Sequence, residues 1–446
     1  MSAAVHQPAS LSPAGRTTVL VVAFLGWFGA GVHMAITQQT GRAASIDLLG
    51  RTGKIDAERF AALSKDANPS ADDWEQLKEW EVSAGRWWAW NQCAFLFGAA
   101  TGGLLFGWLG DRIGRAKGMA VSILTYSAFA AAVSFAQAPW QFAALWFLAC
   151  LGVGGMWPNG VALVAEAWSN LSRPVTAGVI GTSANVGIFL LATLAKIEPI
   201  TPDHWRWVML VGAAPLVLGL FALVAVPESP RWLAARQKHP QSPSAPVSIG
   251  HVFRPPLLWV TLVGIVLATT PVIGGWGTAN WMTPWAEKEG SPALRADVLQ
   301  TRALTGIGGS LLGGWIASTL GRRTTYFLVS LASLIIAQYV FGFLVPTDRG
   351  FLVWVAVLGF VSGIYFGWLP LCLPELFPTR VRSSGAGVSF NFGRIATAVT
   401  LFASGALMGY FGSDYARIGQ VTSLFFVLGM VMILFAPDTS RKELAD

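Results

Sequence analysis

The chain has 446 residues, of which 54% are hydrophobic and only 12% charged, and its formal net charge is +7. A soluble domain carries about 25% charged residues, so this chain lacks the polar surface that a water-soluble globule needs. The basic excess does not point to nucleic acid, because it is spread over the connections between apolar stretches instead of forming one basic face or tail.

In chain order, the first sixteen residues, MSAAVHQPASLSPAGR, are small and polar with a single arginine and no cleavage site, so no cleavable signal is expected. Twelve apolar stretches of about 20 residues then follow, each long enough to cross a bilayer. They are predicted at 17–38, 88–110, 117–138, 141–163, 175–196, 206–226, 257–280, 299–320, 324–345, 351–373, 384–410 and 416–436. The expected fold class is an all-α polytopic membrane protein. Residues 39–86, of mixed charge, read as an outer loop whose tail from Asp72 to Trp80 has helical character, with Trp74, Leu77 and Trp80 at every third position. Residues 227–256, rich in Pro and Ser, read as a cytoplasmic linker that divides the chain into 1–226 and 257–446, six spans each. Cys93, Cys150 and Cys372 all fall inside spans and suggest neither a disulfide framework nor a zinc site. No metal or cofactor is expected.

With the N-terminus inside, the short outer loops hold Lys196, Arg206, Lys288, Arg295, Arg302, Arg349 and Arg417, and the inner segments hold more. By the positive-inside rule both termini are cytoplasmic, in a multi-pass protein of the cytoplasmic membrane.

The two halves repeat one another. GWLGDRIGR at 107–115 matches GWIASTLGR at 314–322, and EAWSNLSR at 166–173 matches ELFPTRVR at 375–382. GTSANVG at 181–187 matches GVSFNFG at 387–393, and PESPRWL at 227 has a looser echo in PDTSRKEL at 437. Repeats of six spans are the architecture of a transporter that rocks two halves about a central site. In the first loop, Gly107 and Gly110 permit close helix approach. Asp111 is an anion able to meet the positive end of a neighbouring helix, and Arg112 and Arg115 can anchor at headgroups or pair with acids.

On these motifs the chain resembles the major facilitator superfamily over essentially its full length. Gly107, Leu109, Asp111, Arg112, Gly114 and Arg115 fit that family's signature loop, with Gly314 and Arg322 in its second copy. PESPRWL and ELFPTRVRSSG look like the sugar-porter and organic-ion branches. The resemblance implies twelve transmembrane helices in two six-helix bundles, a central cavity near the midplane, and alternating access. It also implies an inter-helix ion network at the inner gate, formed by Glu166, Arg173, Glu228 and Arg231 with Arg112, and in the second half by Glu375, Arg382 and Arg322. Salt bridges made in only one state bias the equilibrium between states. Read as ordinary surface pairs, they contribute only about 0–1 kcal/mol each.

The chain departs from the family pattern at four places. Ser318 stands where the second loop copy would carry Asp, and Trp146 where sugar porters usually have Arg. Span one, FLGWFGAGVHMAITQQ, lacks the acid of several proton-coupled relatives, and span seven has GGWGTANWMTPW in place of the sugar-porter Gln-Leu-Ser-Gly motif. The last two weigh against that route of proton coupling and against hexose specificity.

Polar groups inside spans are costly and tend to face a bundle interior. The candidates for lining a cavity are Asn91, Gln92, Asn159, Asn185, Asn280, Asn391 and Arg394, with Trp157, Trp276, Tyr365 and Trp368 as flat apolar walls. Each Asn reads equally as interhelical glue, and the aromatic residues as interface anchors. Imidazole as a side-chain type titrates near neutral pH, so His33 is the candidate proton carrier, or else a neutral hydrogen-bonding residue. Arg394 lies about 15 Å into its span, near the middle of a core about 30 Å thick. No acid lies at that depth in another span, so its partners are a substrate carboxylate, which guanidinium binds through two parallel hydrogen bonds, or helix carbonyls and Asn391. The expected function is secondary transport of a small organic solute, an organic anion by preference and proton-coupled by default. A sugar or polyol is the alternative within the class. A membrane-embedded enzyme or a transporter-like sensor is the remote alternative. The expected partners are the small-molecule substrate, H+ and the lipid bilayer, with no nucleic acid and a monomer as the working unit.

Overall fold

A computed structural model describes residues 11–64, 66, 68–168, 173–230, 232–234, 249–377, 382–410, 414–437 and 439. Nearly all of it is helix, and no strand occurs among the described residues. Span one is Pro13–Arg51, span two Ala71–Ile113, span three Arg115–Val133, span four Pro139–Ala167 and span five Arg173–Ile197. Span six is broken at Pro215 into Arg206–Ala213 and Leu216–Ala225. Span seven joins Leu258–Thr270 to Thr278–Glu289 through a π-helical turn, Pro271–Gly277. Spans eight to eleven are Pro292–Thr319, Arg322–Phe343, Phe351–Cys372 and Arg382–Tyr410, and span twelve is Tyr415–Ser423 with Phe425–Ile433.

Ten of these spans are long and apolar enough to cross a membrane on composition alone. Spans eight and eleven carry more polar residues, yet at 28 and 29 residues they are each about 42 Å long, also enough. Bare apolar surface faces outward, as on span six, where Val217 is 73% and Val224 90% exposed. In water such a face would be a liability; in lipid it is the solvated surface.

The spans form two bundles of six. Between the bundles, span two packs on span eleven and span five on span eight. These two pairs are the same pair under the internal repeat, which relates two to eight and five to eleven.

The expected outer loop 39–86 is largely helix. Span one continues past the apolar stretch because Ala43, Ala44, Ile46, Leu48 and Leu49 prolong its buried stripe. It stops only at Thr52 and Gly53, whose φ of 69° closes the helix end. Span two starts at Ala71, where Ser70 caps the amide of Asp73 and Asp72 and Asp73 complement the helix dipole. At 39 and 43 residues these helices are about 58 and 64 Å long, so both project beyond a core about 30 Å thick. A small apolar core of Ile46, Leu49, Ile55, Phe60, Leu63, Trp80 and Ala84 ties the two projecting ends to the short helix Ala57–Leu63. Salt bridges Arg42–Glu81 at 2.5 Å and Arg59–Asp73 at 2.8 Å run along its surface. This is the capped end of the molecule.

At the base of the cap, Asp47 gathers three groups. Its carboxylate accepts from Arg51 Nε at 2.9 Å, Arg206 Nη1 at 2.7 Å and Trp205 Nε1 at 3.0 Å. Arg206 in turn donates to the carbonyls of Ser134 and Ala136, both at 3.1 Å. One carboxylate thus joins the projecting end of span one to the start of span six and the end of span three.

Candidate functional site

A cavity of about 150 Å³ lies between the two bundles. The first half lines it with Trp27, Met34, Gln38, Phe95, Leu96, Trp157, Gly181, Ala184, Asn185 and Ile188. The second half contributes Thr283 and Leu299, Ser362 and Phe366, Leu369 and Pro370, Phe390, and two arginines, Arg302 and Arg394. None of the described lining residues is acidic.

Arg394 is 4% exposed and makes no ion pair among the described residues. Its Nη1 reaches Asn391 Oδ1 at 3.3 Å and the Ala99 carbonyl of span two at 3.4 Å, both long for a charged donor. Its guanidinium carbon sits 4.9 Å from the Phe390 ring centroid. Phe390 stacks in turn on Trp157 of span four, centroids 4.7 Å apart and 10° from parallel. Asn391 bonds its own helix through the Gly387 carbonyl at 2.8 Å and packs on Gly103 of span two. A side chain at Gly103 would overlap the Asn391 amide, so the absence of Cβ there lets span eleven approach and sets Arg394 at the cavity wall. The result is a weakly partnered cation on an aromatic shelf, in surroundings of low polarity. Such a group attracts an anion more strongly than the same group in water.

Arg302 corrects an expectation. It is grouped above with the outer-loop charges although it stands just inside the predicted span 299–320. Ser291 accepts from the Leu294 amide and Pro292 takes the first helical position, so the helix begins upstream and Arg302 falls inside it. That Ser-Pro pair was the available signal. Arg302 Nη2 donates to the Gly275 carbonyl at 2.8 Å, in the π turn of span seven, while its Nε and Nη1 are shielded and have no hydrogen-bond partner among the described residues.

Of the other candidates, Asn185 and Trp157 line the cavity, and Asn185 also reaches Ser310 Oγ of span eight at 3.4 Å. Asn91 and Gln92 lie a turn away from the lining residues Phe95 and Leu96, between spans one and two, where Gln92 Nε2 donates to the Thr37 carbonyl at 3.0 Å. Asn159 joins span four to span two by donating to the Phe106 carbonyl at 2.9 Å. Tyr365 bonds Ser330 at 2.6 Å and Trp368 donates to the Arg322 carbonyl at 2.9 Å, both packed against Tyr326. The cavity face of span ten is the neighbouring one, through Gly359, Ser362, Gly363, Phe366 and Pro370. His33 is fully buried inside the first bundle, stacked on Trp146 at 5.5 Å with its Nδ1 on the Gly29 carbonyl at 2.8 Å, and is not a lining residue. The side chains of Trp276 and Asn280 lie outside the described part.

Residues 82–401 match the family model of the Major Facilitator Superfamily. The chain belongs to this superfamily. It is 28% identical over 357 residues to the cis,cis-muconate transport protein of Acinetobacter baylyi, covering 77% of this chain and 83% of that one. It is 25% identical over 368 residues to the gentisate transporter of Corynebacterium glutamicum, covering 80% and 79% of the two chains. Among solved structures, the proton:xylose symporter XylE bound to 6-bromo-6-deoxy-D-glucose superposes with a TM-score of 0.73 at 16% identity, covering 97% of this chain and 98% of that one. The human organic anion transporter MFSD10 does so with a TM-score of 0.68 at 16% identity, covering 95% and 100%. The protein is a transmembrane transporter of this superfamily.

The superfamily's signature loops lie at the end opposite the cap. In the first, Gly114 turns the chain between spans two and three with φ 111°, and a Cβ there would overlap the Glu228 carboxylate. Glu228 accepts from the amides of Arg115 at 2.8 Å and Ala116 at 3.2 Å. It thus caps the N-terminus of span three, and the Ser229 hydroxyl donates to Glu166. Among the described residues neither acid pairs with an arginine, and Arg112 lies 4.1 Å over the Trp108 ring. Glu228 is an anion at a helix N-terminus, where the Gly114 turn presents free amides to it. The side chains of Asp111, Arg173 and Arg382, and residue Arg231, lie outside the described part. In the second copy Arg322 pairs with Glu375 at 3.1 Å, and Thr439 donates to the same carboxylate at 2.7 Å. Ser318 accepts from Arg322 at 3.1 Å, so the hydroxyl that replaces Asp still holds the motif arginine.

Proposed function

We propose that this transporter carries a small organic anion through the central cavity, with Arg394 as the group that holds its carboxylate. The observation that supports this most is the pairing of a buried, weakly partnered guanidinium with a lining that contains no acid among the described residues. The aromatic shelf of Trp157 and Phe390 suits an anion with a flat or apolar body. The muconate and gentisate transporters among the relatives agree with this class of cargo.

In this reading the halves 1–226 and 257–446 rock about the site as a monomer in the cytoplasmic membrane. Both termini and the signature loops face the cytoplasm, and the cap faces outward. His33 is a packing residue and carries no proton, so coupling to H+ does not run through it. Glu228 and the Arg322–Glu375 pair act on the balance between states at the inner end.

The test is uptake into proteoliposomes of radiolabelled benzoate, gentisate and muconate against glucose and xylitol. Saturable carboxylate uptake that is lost in Arg394→Gln is expected. Sugar or polyol uptake that survives the substitution would refute the reading.

A further inference from the structure

Resting on the reading of the cavity as an anion site, we infer that Arg302 forms a second anionic subsite, and that the preferred cargo is a dianion with an apolar body. Arg302 and Arg394 are the only charged groups among the described lining residues, and both come from the second half. The first half contributes an apolar wall of Trp27, Phe95, Leu96 and Trp157. A single carboxylate on Arg394 leaves the other guanidinium uncompensated in surroundings where charge is poorly screened. A second carboxylate on the same molecule neutralises it.

The hydrogen bonding of Arg302 favours a ligand over a purely structural role. A guanidinium has five N–H groups, and the Gly275 carbonyl takes a bond from Nη2 alone. Nε and Nη1 are shielded from solvent and have no partner among the described residues. Buried donors left without partners are rare in folded proteins, and a carboxylate of the cargo completes this set. The bond to Gly275 gives the subsite a second property. That carbonyl belongs to the π turn Pro271–Gly277, where the regular ladder of span seven is interrupted. An anion drawn to Arg302 therefore acts on the residue that holds the break in span seven, and occupancy is linked to the shape of that span.

The test uses matched probes that differ by one carboxylate: hexanoate with adipate, and benzoate with terephthalate. Binding to the purified full-length protein is read by calorimetry and by uptake into proteoliposomes. For one or both pairs, the wild type is expected to bind the dicarboxylate roughly tenfold tighter than the monocarboxylate, the scale of one charge-assisted contact. Arg302→Gln is expected to bring the two within about twofold, and Arg394→Gln to abolish both. Arg302→Lys keeps the charge and is expected to restore part of the preference, which separates lost charge from misfolding. If Arg302→Gln weakens both members of a pair equally, or neither, while Arg394→Gln abolishes them, the second subsite is overturned and the anion site at Arg394 stands. If no carboxylate binds the wild type, both fall.

Discussion

Phe390 of span eleven lies parallel to Trp157 of span four at 4.7 Å, and the Arg394 guanidinium carbon is 4.9 Å from the same Phe390 ring. One ring therefore closes the cavity between the halves and supports the cation that faces it. An aromatic pair contributes about 0.5–1.5 kcal/mol beyond its buried area, and a desolvated cation–π contact about 2 kcal/mol. Phe390→Ala removes both and is expected to weaken carboxylate binding roughly tenfold. Trp157→Ala removes the stack but leaves the cation–π contact and should cost about threefold, and Phe390→Tyr should keep most of the affinity. Half-saturation constants for uptake check the order, which reverses if the shelf works through Trp157 alone.

His33 is the span residue best suited to titration by type, and its position argues against a transport role. It is enclosed by Tyr126 at 4.8 Å and Trp146 at 5.5 Å, and Trp146 also holds Thr37 of span one at 3.2 Å. His33→Gln loses two ring contacts and is expected to destabilise the protein by about 1–2 kcal/mol. The pH profile of uptake should keep its shape. A profile that flattens in His33→Gln, with thermal stability unchanged, would return the histidine to the mechanism.

The fold was legible because span length, the six-span repeat and the signature loops are local patterns that survive in one dimension. Arg394 was legible for the same reason: a cation deep in an apolar stretch is conspicuous. Arg302 was not, because the apolar run starts at 299 while the helix starts at Pro292, and a cation near the end of an apolar run reads as a loop charge. Asn159 and Asn91 illustrate a second limit. Composition says that a polar group in a span is buried, but only packing decides between a cavity and a neighbouring carbonyl, and Asn159 found the Phe106 carbonyl. Span ten shows a third. Tyr365 and Trp368 sit one helical face away from Ser362, Phe366 and Pro370, and hydropathy cannot distinguish two apolar faces of one helix. The cap reads as a loop in the sequence because hydropathy reports the bilayer and not the helix, which continues past it through Leu48 and Leu49.

Gly114 tests the helix cap in the signature loop. Its φ of 111° is costly for any residue with Cβ, and a Cβ would overlap the Glu228 carboxylate. Gly114→Ala is expected to cost about 2–4 kcal/mol, combining backbone strain with a displaced cap. Glu228→Gln keeps the shape and loses the charge at the helix end, so a smaller loss of about 0.5–1 kcal/mol is expected. Thermal unfolding in detergent gives both values. Equal losses would mean that the carboxylate acts through charge alone and that the turn tolerates a side chain.

Asp47 gives the cap a defined dependence on pH. Partial burial alone would raise its pKa, but hydrogen bonds from Trp205, Arg206 and Arg51, with the Arg206 charge, outweigh that and hold it below the ordinary carboxylate range. A pKa lower in the folded state than the unfolded value near 3.9 means that the native protein favours the ionised form. The stability this contributes is present in full above the unfolded pKa, and it is lost as pH falls through the folded pKa. Asp47→Asn removes the charge and leaves Arg206 and Arg51 without their carboxylate, a change expected to cost about 1–3 kcal/mol at pH 7. The gap between wild type and Asp47→Asn should therefore be constant from pH 8 to pH 5 and shrink below about pH 4. Thermal unfolding of both proteins across that range checks the sign. A gap that widens on acidification would mean that the folded state binds the proton more tightly than the unfolded chain, opposite to what the Trp205 and Arg206 bonds require.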